Sequence, residues 1–433
     1  MPPAETAITP PPGPLDAEIE APPSKAFTQR AIFVAALAEG ESRIVRPLFA
    51  EDPGHAMEAL TALGVTFERD GEDLVVQGFG GRPGPGRSGL CFAGQSGLTA
   101  RFLTSLLTLC PRGEKCIVDG HPRLRQRPFG PLFDAVRALG GRTRWLDNRG
   151  FLPIEVRGGG LKGGRAEVAG DVHTEFLSSI LLTAPYAAED VTVVCEGRLR
   201  SAPYVDVTLE VMRAFDVEVE RDGYAEFRVQ AGQRYRGTTF TVERDHGMAA
   251  YFFAAAAITG GRVKVTSLRP DSRQGEKLFP AFLGRMGCAV WPGPDGTLVE
   301  GGVLTAIEVD VRDVGELVLP LAVVAAFARG TSRFLSVGHL AHRESERLAA
   351  VVDGLNVLGI HAGRQGDVLA VTGGHPFGGV VDSHGDFRVA MAFAVAGLAA
   401  RGMRIRNPGC MTRVFPGFLE TLKGLTHGKE ESS

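Results

Sequence analysis

Cations gather in this chain where a helix should least tolerate them. Six short segments, PPSKAFTQR (22–30), AGQSGLTAR (93–101), GDVHTE (170–175), VERDHGMAA (242–250), VRDVGEL (311–317) and SHGDFR (383–388), each lead into a run of small apolar residues. Ser, Asp, Thr and Gly at such places are ordinary helix-capping material. Lys25, Arg30, Arg101 and Arg388 are not, because a positive charge opposes the helix dipole unless an anion is bound there. The free N–H groups of a helix start also point at such an anion. Several starts facing one cleft would form an anion-binding chamber. Three further segments carry charge. RLRQRP (123–128) sets Arg127 before a proline that should open a helix, HRESERL (342–348) holds Arg343, Glu344 and Arg347, and CMTRVFPGF (410–418) sets Arg413 ahead of the last helix. Glu344 and Arg347 are three apart and would share one helix face.

The elements that must hold these residues repeat. Apolar runs start at Ala31, Phe102, Phe176, Tyr251, Leu317 and Val389, spaced 71, 74, 75, 66 and 72 residues apart. So regular a period marks an internal repeat. Each run is apolar all round, as in AIFVAALAEG, and is expected to be a buried helix. A strand follows, then an amphipathic helix ending near a glycine, such as HAMEALTALGV, then a hairpin, such as VTFERDGEDLVVQG. The unit is therefore helix, strand, helix, strand, strand. The sixth copy stops after its second helix, FLETLKGL. The N-terminal strand LDAEIEAP is expected to complete it, giving one domain from 15–23 plus 243–433 and another from 24–242. Residues 1–14, with six prolines, read as a disordered arm, and THGKEESS as a frayed tail. The expected class is α/β with both segregated and alternating elements (α+β), three repeats to a domain.

Composition narrows the function. The formal charge of −3 leaves no basic excess for nucleic acid. No apolar run reaches the roughly 18 residues of a membrane span, and no secretory leader is visible. Six dispersed cysteines without a Cys-x-x-Cys pair fit reduced thiols in a cytoplasm. The ten histidines are scattered, so neither a metal nor an organic cofactor is expected.

Taken together, PPSKAFTQRA, GQSGLTAR, LRQRPFGPL, APYVDVTLEVM, HRESERL, GDFRVAMAFAVAGL and NPGCMTRVFPGF resemble, in order and spacing, the motifs of the EPSP synthase family, over about residues 15–425. The resemblance implies a two-domain inside-out α/β barrel that closes on its substrates, with the active site in the interdomain cleft. It implies transfer of the enolpyruvyl group of phosphoenolpyruvate (PEP) to a ring hydroxyl of shikimate 3-phosphate, with release of phosphate. Carried over residue by residue, it assigns PEP binding to Lys25, Gly97, Arg127, Arg347, Arg388 and Arg413. Acceptor binding falls to Arg30, His173, Thr174, Glu175, Ser201, Tyr204, Glu316, His339 and Arg343. Proton handling falls to Lys25, Glu316 and Glu344. Both partners are small molecules, with no nucleic acid or membrane partner, and a monomer is expected.

The departures from the pattern lie mostly on the acceptor side. Ala26 replaces a serine, His173-Thr174-Glu175 replaces Ser-Ser-Gln, His339 an asparagine, Arg343 a lysine and Glu316 the commoner aspartate. Gln95 and Leu98 replace Asn and Thr, Phe387 replaces a histidine, and Arg413 stands for a lysine. A carboxylate at 175 beside anionic ligands is unfavourable unless it is protonated or turned away. These changes, the loss of the Ser-Ser phosphate site above all, motivate a rival reading: elimination of water or phosphate from shikimate or a similar ring in a specialised pathway, with enolpyruvyl transfer to a closely related cyclohexene carboxylate lacking the 3-phosphate as a variant. A non-catalytic binding protein is a third reading, against which the arginines and paired carboxylates speak. The related UDP-N-acetylglucosamine enolpyruvyl transferases carry a reactive cysteine five residues before the matching Arg-Pro, where this chain has Pro122.

Overall fold

The computed structural model describes residues 4–84, 89–170, 173–340 and 346–426. The chain divides into two compact units, Pro23–Val242 and Met1–Pro22 with Glu243–Ser433.

The unit Pro23–Val242 is built on three helices, Lys25–Leu37, Gly97–Leu106 and Thr174–Thr183, whose side chains are buried almost throughout. Ala, Leu and Phe dominate them, so propensity and burial agree. Several of the polar groups inside bond to one another. Ser105 Oγ meets Ser179 Oγ at 2.7 Å, Ser179 Oγ donates to the Arg101 carbonyl at 2.6 Å, and Ser178 Oγ lies 2.8 Å from Thr208 Oγ1. Outside this core stand the amphipathic helices Glu51–Ala62, Gly130–Ala138 and Pro203–Ala214. Three four-stranded sheets complete the unit, each a parallel pair extended by an antiparallel hairpin.

The other unit repeats the plan with buried helices His246–Thr259, Val318–Ala326 and Phe387–Ala396 and outer helices Phe279–Arg285, Arg347–Val357 and Phe418–Thr426. The six expected copies are therefore present, with helices inside and sheets outside. The residue closing the outer helix is a left-handed glycine in four copies (Gly64, Gly140, Gly287, Gly359), while Asp216 takes the same conformation in the third.

Two expectations about the N-terminus are corrected. LDAEIEAP does not complete the sixth copy: Asp16–Glu20 pairs in parallel with Arg262–Thr266 of the fourth. The sixth sheet is closed instead by Glu5–Ala7, antiparallel to Arg404–Arg406, from within the arm expected to be disordered. The prolines flank ETAIT rather than interrupt it, and an edge strand tolerates proline at its ends. Glu5 anchors this strand by pairing with Arg406 (Nη2, 3.0 Å) and Arg404 (Nε, 3.2 Å), and Ile8 N donates to the Met403 carbonyl at 3.0 Å. A parallel partner strand precedes every inner helix, but those preceding Lys25–Leu37 and His246–Thr259 serve the opposite unit. Thr239–Thr241 pairs with Arg43–Val45, as Asp16–Glu20 pairs with Arg262–Thr266.

His246, the first residue of its helix, is buried beside Gln274, whose side-chain oxygen accepts from the His246 N–H at 3.1 Å. Burial, with a smaller push from Lys277, lowers its pKa to about 4 despite a hydrogen bond to the Arg269 carbonyl. The folded state thus holds His246 neutral where the unfolded chain would protonate it. Stability from this site is complete above about pH 6.5 and is lost as pH falls toward about 4. Going from pH 7 to pH 5 should cost about 2 kcal/mol through this residue. Urea unfolding at the two pH values checks it: His246→Gln should show a smaller acid loss than wild type, and an equal loss would refute the assignment.

Candidate active site

In the unit Pro23–Val242, Lys25 is the first residue of its helix, after Ser24, and ion-pairs with Asp52 in the first turn of the next helix. Asp52 is fully buried. Sequence reading missed it because an acid in a first helical turn is commonplace. One and a half turns on, Arg30 is also buried, its donors directed to Thr208 Oγ1 (2.7 Å), the Ala26 carbonyl (3.0 Å) and the Tyr204 carbonyl (3.2 Å). Burial pulls its pKa down to about 10, offset by Glu175 and Tyr204, so it remains a cation at neutral pH. Its guanidinium also lies 5.9 Å from the Tyr204 ring centroid.

Gly97 opens the second inner helix, where Ser96 accepts from the Thr99 N–H at 3.2 Å. A side chain at Gly97 would collide with guanidinium groups. An added Cβ would lie 2.8 Å from Arg127 Nη1 and 3.2 Å from Arg101 Nη1. The missing side chain at Gly97 therefore leaves room for the Arg127 and Arg101 guanidiniums. Arg127 is buried in extended conformation (φ −91°, ψ 140°), as a residue before proline prefers.

Arg101, read in the sequence as a cation open to an outside anion, instead turns inward. It ion-pairs with Glu175 and lies over the rings of Phe176 (5.1 Å) and Phe129 (5.4 Å). Glu175, in the first turn of the third inner helix, is thus neither turned away nor uncompensated: the 1% exposed Arg101 side chain supplies its counter-charge. His173 stands at the N-cap with its ring edge-on to Phe176 at 5.5 Å, and Thr174 is buried behind it. Ser201 is held at φ 54° just ahead of the helix that carries Tyr204.

In the other unit one charge cluster dominates. Glu316, in the turn Gly315–Leu317, accepts from Arg347 Nη1 at 3.1 Å and pairs with Arg388 Nε at 2.5 Å. Asp386, fully buried, caps the sixth inner helix by accepting from the Arg388 N–H at 3.0 Å. It also accepts from Arg347 Nε at 2.9 Å. Tyr251 OH reaches the Arg388 carbonyl at 3.5 Å. Arg413 ends the turn Pro408–Arg413 and lies over Phe387. Two carboxylates and three guanidiniums leave one formal positive charge in excess, held by caps and turns that fix side-chain direction. Arg347 begins its helix after Glu346, while Arg343 and Glu344 lie outside the described residues. His339 falls in the turn Gly338–Leu340, and its side chain is likewise not described. Within SHGDFR, Asp386 gives no signal of this pairing, since an Asp before a helix reads as a cap and nothing more.

A sequence profile of the EPSP synthase (3-phosphoshikimate 1-carboxyvinyltransferase) family matches residues 9–422. The chain belongs to the EPSP synthase family. It is 43% identical over 414 residues to the 3-phosphoshikimate 1-carboxyvinyltransferase of Methanoculleus marisnigri, covering 95% of this chain and 97% of that relative. It is 38% identical over 408 residues to that of Nostoc punctiforme, covering 94% and 95%. The solved EPSP synthase from Acinetobacter baumannii superposes with a TM-score of 0.80 over 97% of this chain and 98% of its own, at 24% identity, and so shares the fold. As a family member the chain is a 3-phosphoshikimate 1-carboxyvinyltransferase-like enzyme. Among the described residues no group of three or more His, Cys, Asp or Glu could hold a metal ion. None of the helices there is long and apolar enough to cross a membrane.

Proposed function

We propose that this chain transfers the enolpyruvyl group of PEP to a ring hydroxyl of shikimate 3-phosphate, releasing phosphate. The observation that carries this reading is the Glu316–Arg347–Arg388 cluster: a carboxylate held by two guanidiniums that an incoming anion could claim. In the proposed reaction the acceptor hydroxyl adds to C2 of PEP while C3 gains a proton, giving a tetrahedral ketal. Loss of phosphate and a proton from that ketal restores the enol ether. Arg347 and Arg388, with Lys25, Arg127 and Arg413, hold the phosphate and carboxylate of PEP and stabilise charge as it moves to the departing phosphate. Glu316, freed when the PEP carboxylate takes over its guanidiniums, accepts the proton of the acceptor hydroxyl. Lys25, steadied by Asp52, and Glu344 take the remaining proton transfers.

On the acceptor side, the roles we assign are Arg30 and Tyr204 for the ring and Ser201, His173 and Thr174 for its phosphate, with acceptor binding also assigned to His339 and Arg343. The Arg101–Glu175 pair also weakens one of the sequence arguments against a phosphorylated acceptor, because it removes the uncompensated negative charge. A phosphate-release assay tests the proposal. One phosphate should appear per PEP consumed, only when shikimate 3-phosphate is present. Glu316→Gln should lower kcat by on the order of 10²–10⁴, the usual worth of a general base, while leaving PEP bound at least as well. Unchanged kcat would remove Glu316 from proton transfer, and phosphate release without PEP would contradict transfer altogether.

A further inference from the structure

Two departures from the family pattern meet in space. Phe387 stands where the pattern has histidine and Arg413 where it has lysine, 26 residues apart in the sequence. The Arg413 guanidinium lies over the Phe387 ring, 5.7 Å from its centroid, and the Arg388 guanidinium lies over the same ring at 5.2 Å. Phe387 is 3% exposed and Arg413 2%, so solvent does little to screen this contact. Both ends are anchored: Phe387 follows the Asp386 cap, and Arg413 ends the turn Pro408–Arg413.

The chemistry of the two exchanges is complementary. A guanidinium is flat and stacks on an aromatic face, while an ammonium is a compact, strongly hydrated point charge. A phenyl face attracts cations through its quadrupole, and more strongly once water is excluded. A histidine would offer a nitrogen in its place, which suits an ammonium or an anion, and if protonated it would add a third positive charge beside Arg388 and Arg413. Each exchange alone therefore mismatches its neighbour, whereas the two together match.

We infer that Phe387 is a positioning residue that seats Arg413 beside Arg388 for the phosphate or carboxylate of PEP, and that Phe387 and Arg413 form one coupled unit. This rests on the transferase reading above. The test is a double-mutant cycle over Phe387→His, Arg413→Lys and the double variant. Each single change should raise KM for PEP by about thirtyfold, the worth of one desolvated cation–ring contact, with a smaller change in kcat. The double variant should return to within about twofold of wild type, because non-additivity is the signature of contact. Multiplicative singles, or a Phe387→His enzyme with unaltered KM, would overturn the inference. Urea unfolding of the same four proteins reads the pairing without turnover. Each single should lower the midpoint and the double should recover it, while additive losses would refute the pairing. Wild-type protein that turns over neither substrate would count against the transferase reading, and the urea series would still decide the coupling.

Discussion

Arg388→Ala should lower kcat/KM for PEP by on the order of 10²–10³, the effect of removing one preorganised charged donor from a developing anion. The loss has two sources. The variant deletes a guanidinium from the proposed PEP clamp, and it leaves Glu316 paired with Arg347 in place of both arginines. Arg388→Lys should recover part of the activity, because it keeps the charge but not the fork. Steady-state kinetics with both substrates checks this. Alanine and wild-type enzymes of equal kcat/KM would remove Arg388 from the site.

Asp386→Ala should produce the largest loss of stability, about 3–5 kcal/mol, the usual effect of deleting one partner of a buried ion pair. Asp386 is fully buried and does two jobs at once: it accepts from Arg347 Nε and caps the helix carrying Phe387 and Arg388. The cap alone is worth about 1 kcal/mol. Asp386→Asn keeps a capping oxygen but loses the charge, so it should unfold between the alanine variant and wild type. Chemical denaturation separates these effects. An asparagine variant as stable as wild type would mean that the Arg347 pair contributes little, and an alanine variant as stable as wild type would refute both roles.

The repeat was legible because its signal is local and recurs six times. Runs such as AIFVAAL and FFAAAAI admit little but a buried helix, and glycines such as Gly64 and Gly287 mark the end of four of the outer helices. Pairing was not legible, since it depends on partners far along the chain. Nothing in DAEIE states that it will lie beside Arg262–Thr266, and composition hid the strand in ETAIT behind six prolines. The left-handed residue ending the strand after an inner helix is Arg46, Gly197, Ser267, Ser336 or Asn407, too varied in type to be read as one feature.

The site divides in the same way. Lys25, Gly97, Arg127, Arg347 and Arg388 stood out as motif residues. Two of the carboxylate partners, Asp52 of Lys25 and Asp386 of Arg347, did not, because they occupy positions where acids are commonplace at helix starts. Arg101 and Glu175, 74 residues apart, looked like two separate problems, an unexplained cation and an unfavourable anion, and each resolves the other.

The most direct measurement is the mass of the product formed from shikimate 3-phosphate with and without PEP, beside matching reactions with shikimate. A PEP-dependent gain of one enolpyruvyl group on shikimate 3-phosphate, accompanied by free phosphate, is the predicted result. Loss of water or phosphate from either ring in the absence of PEP, with no enolpyruvyl product, would contradict it.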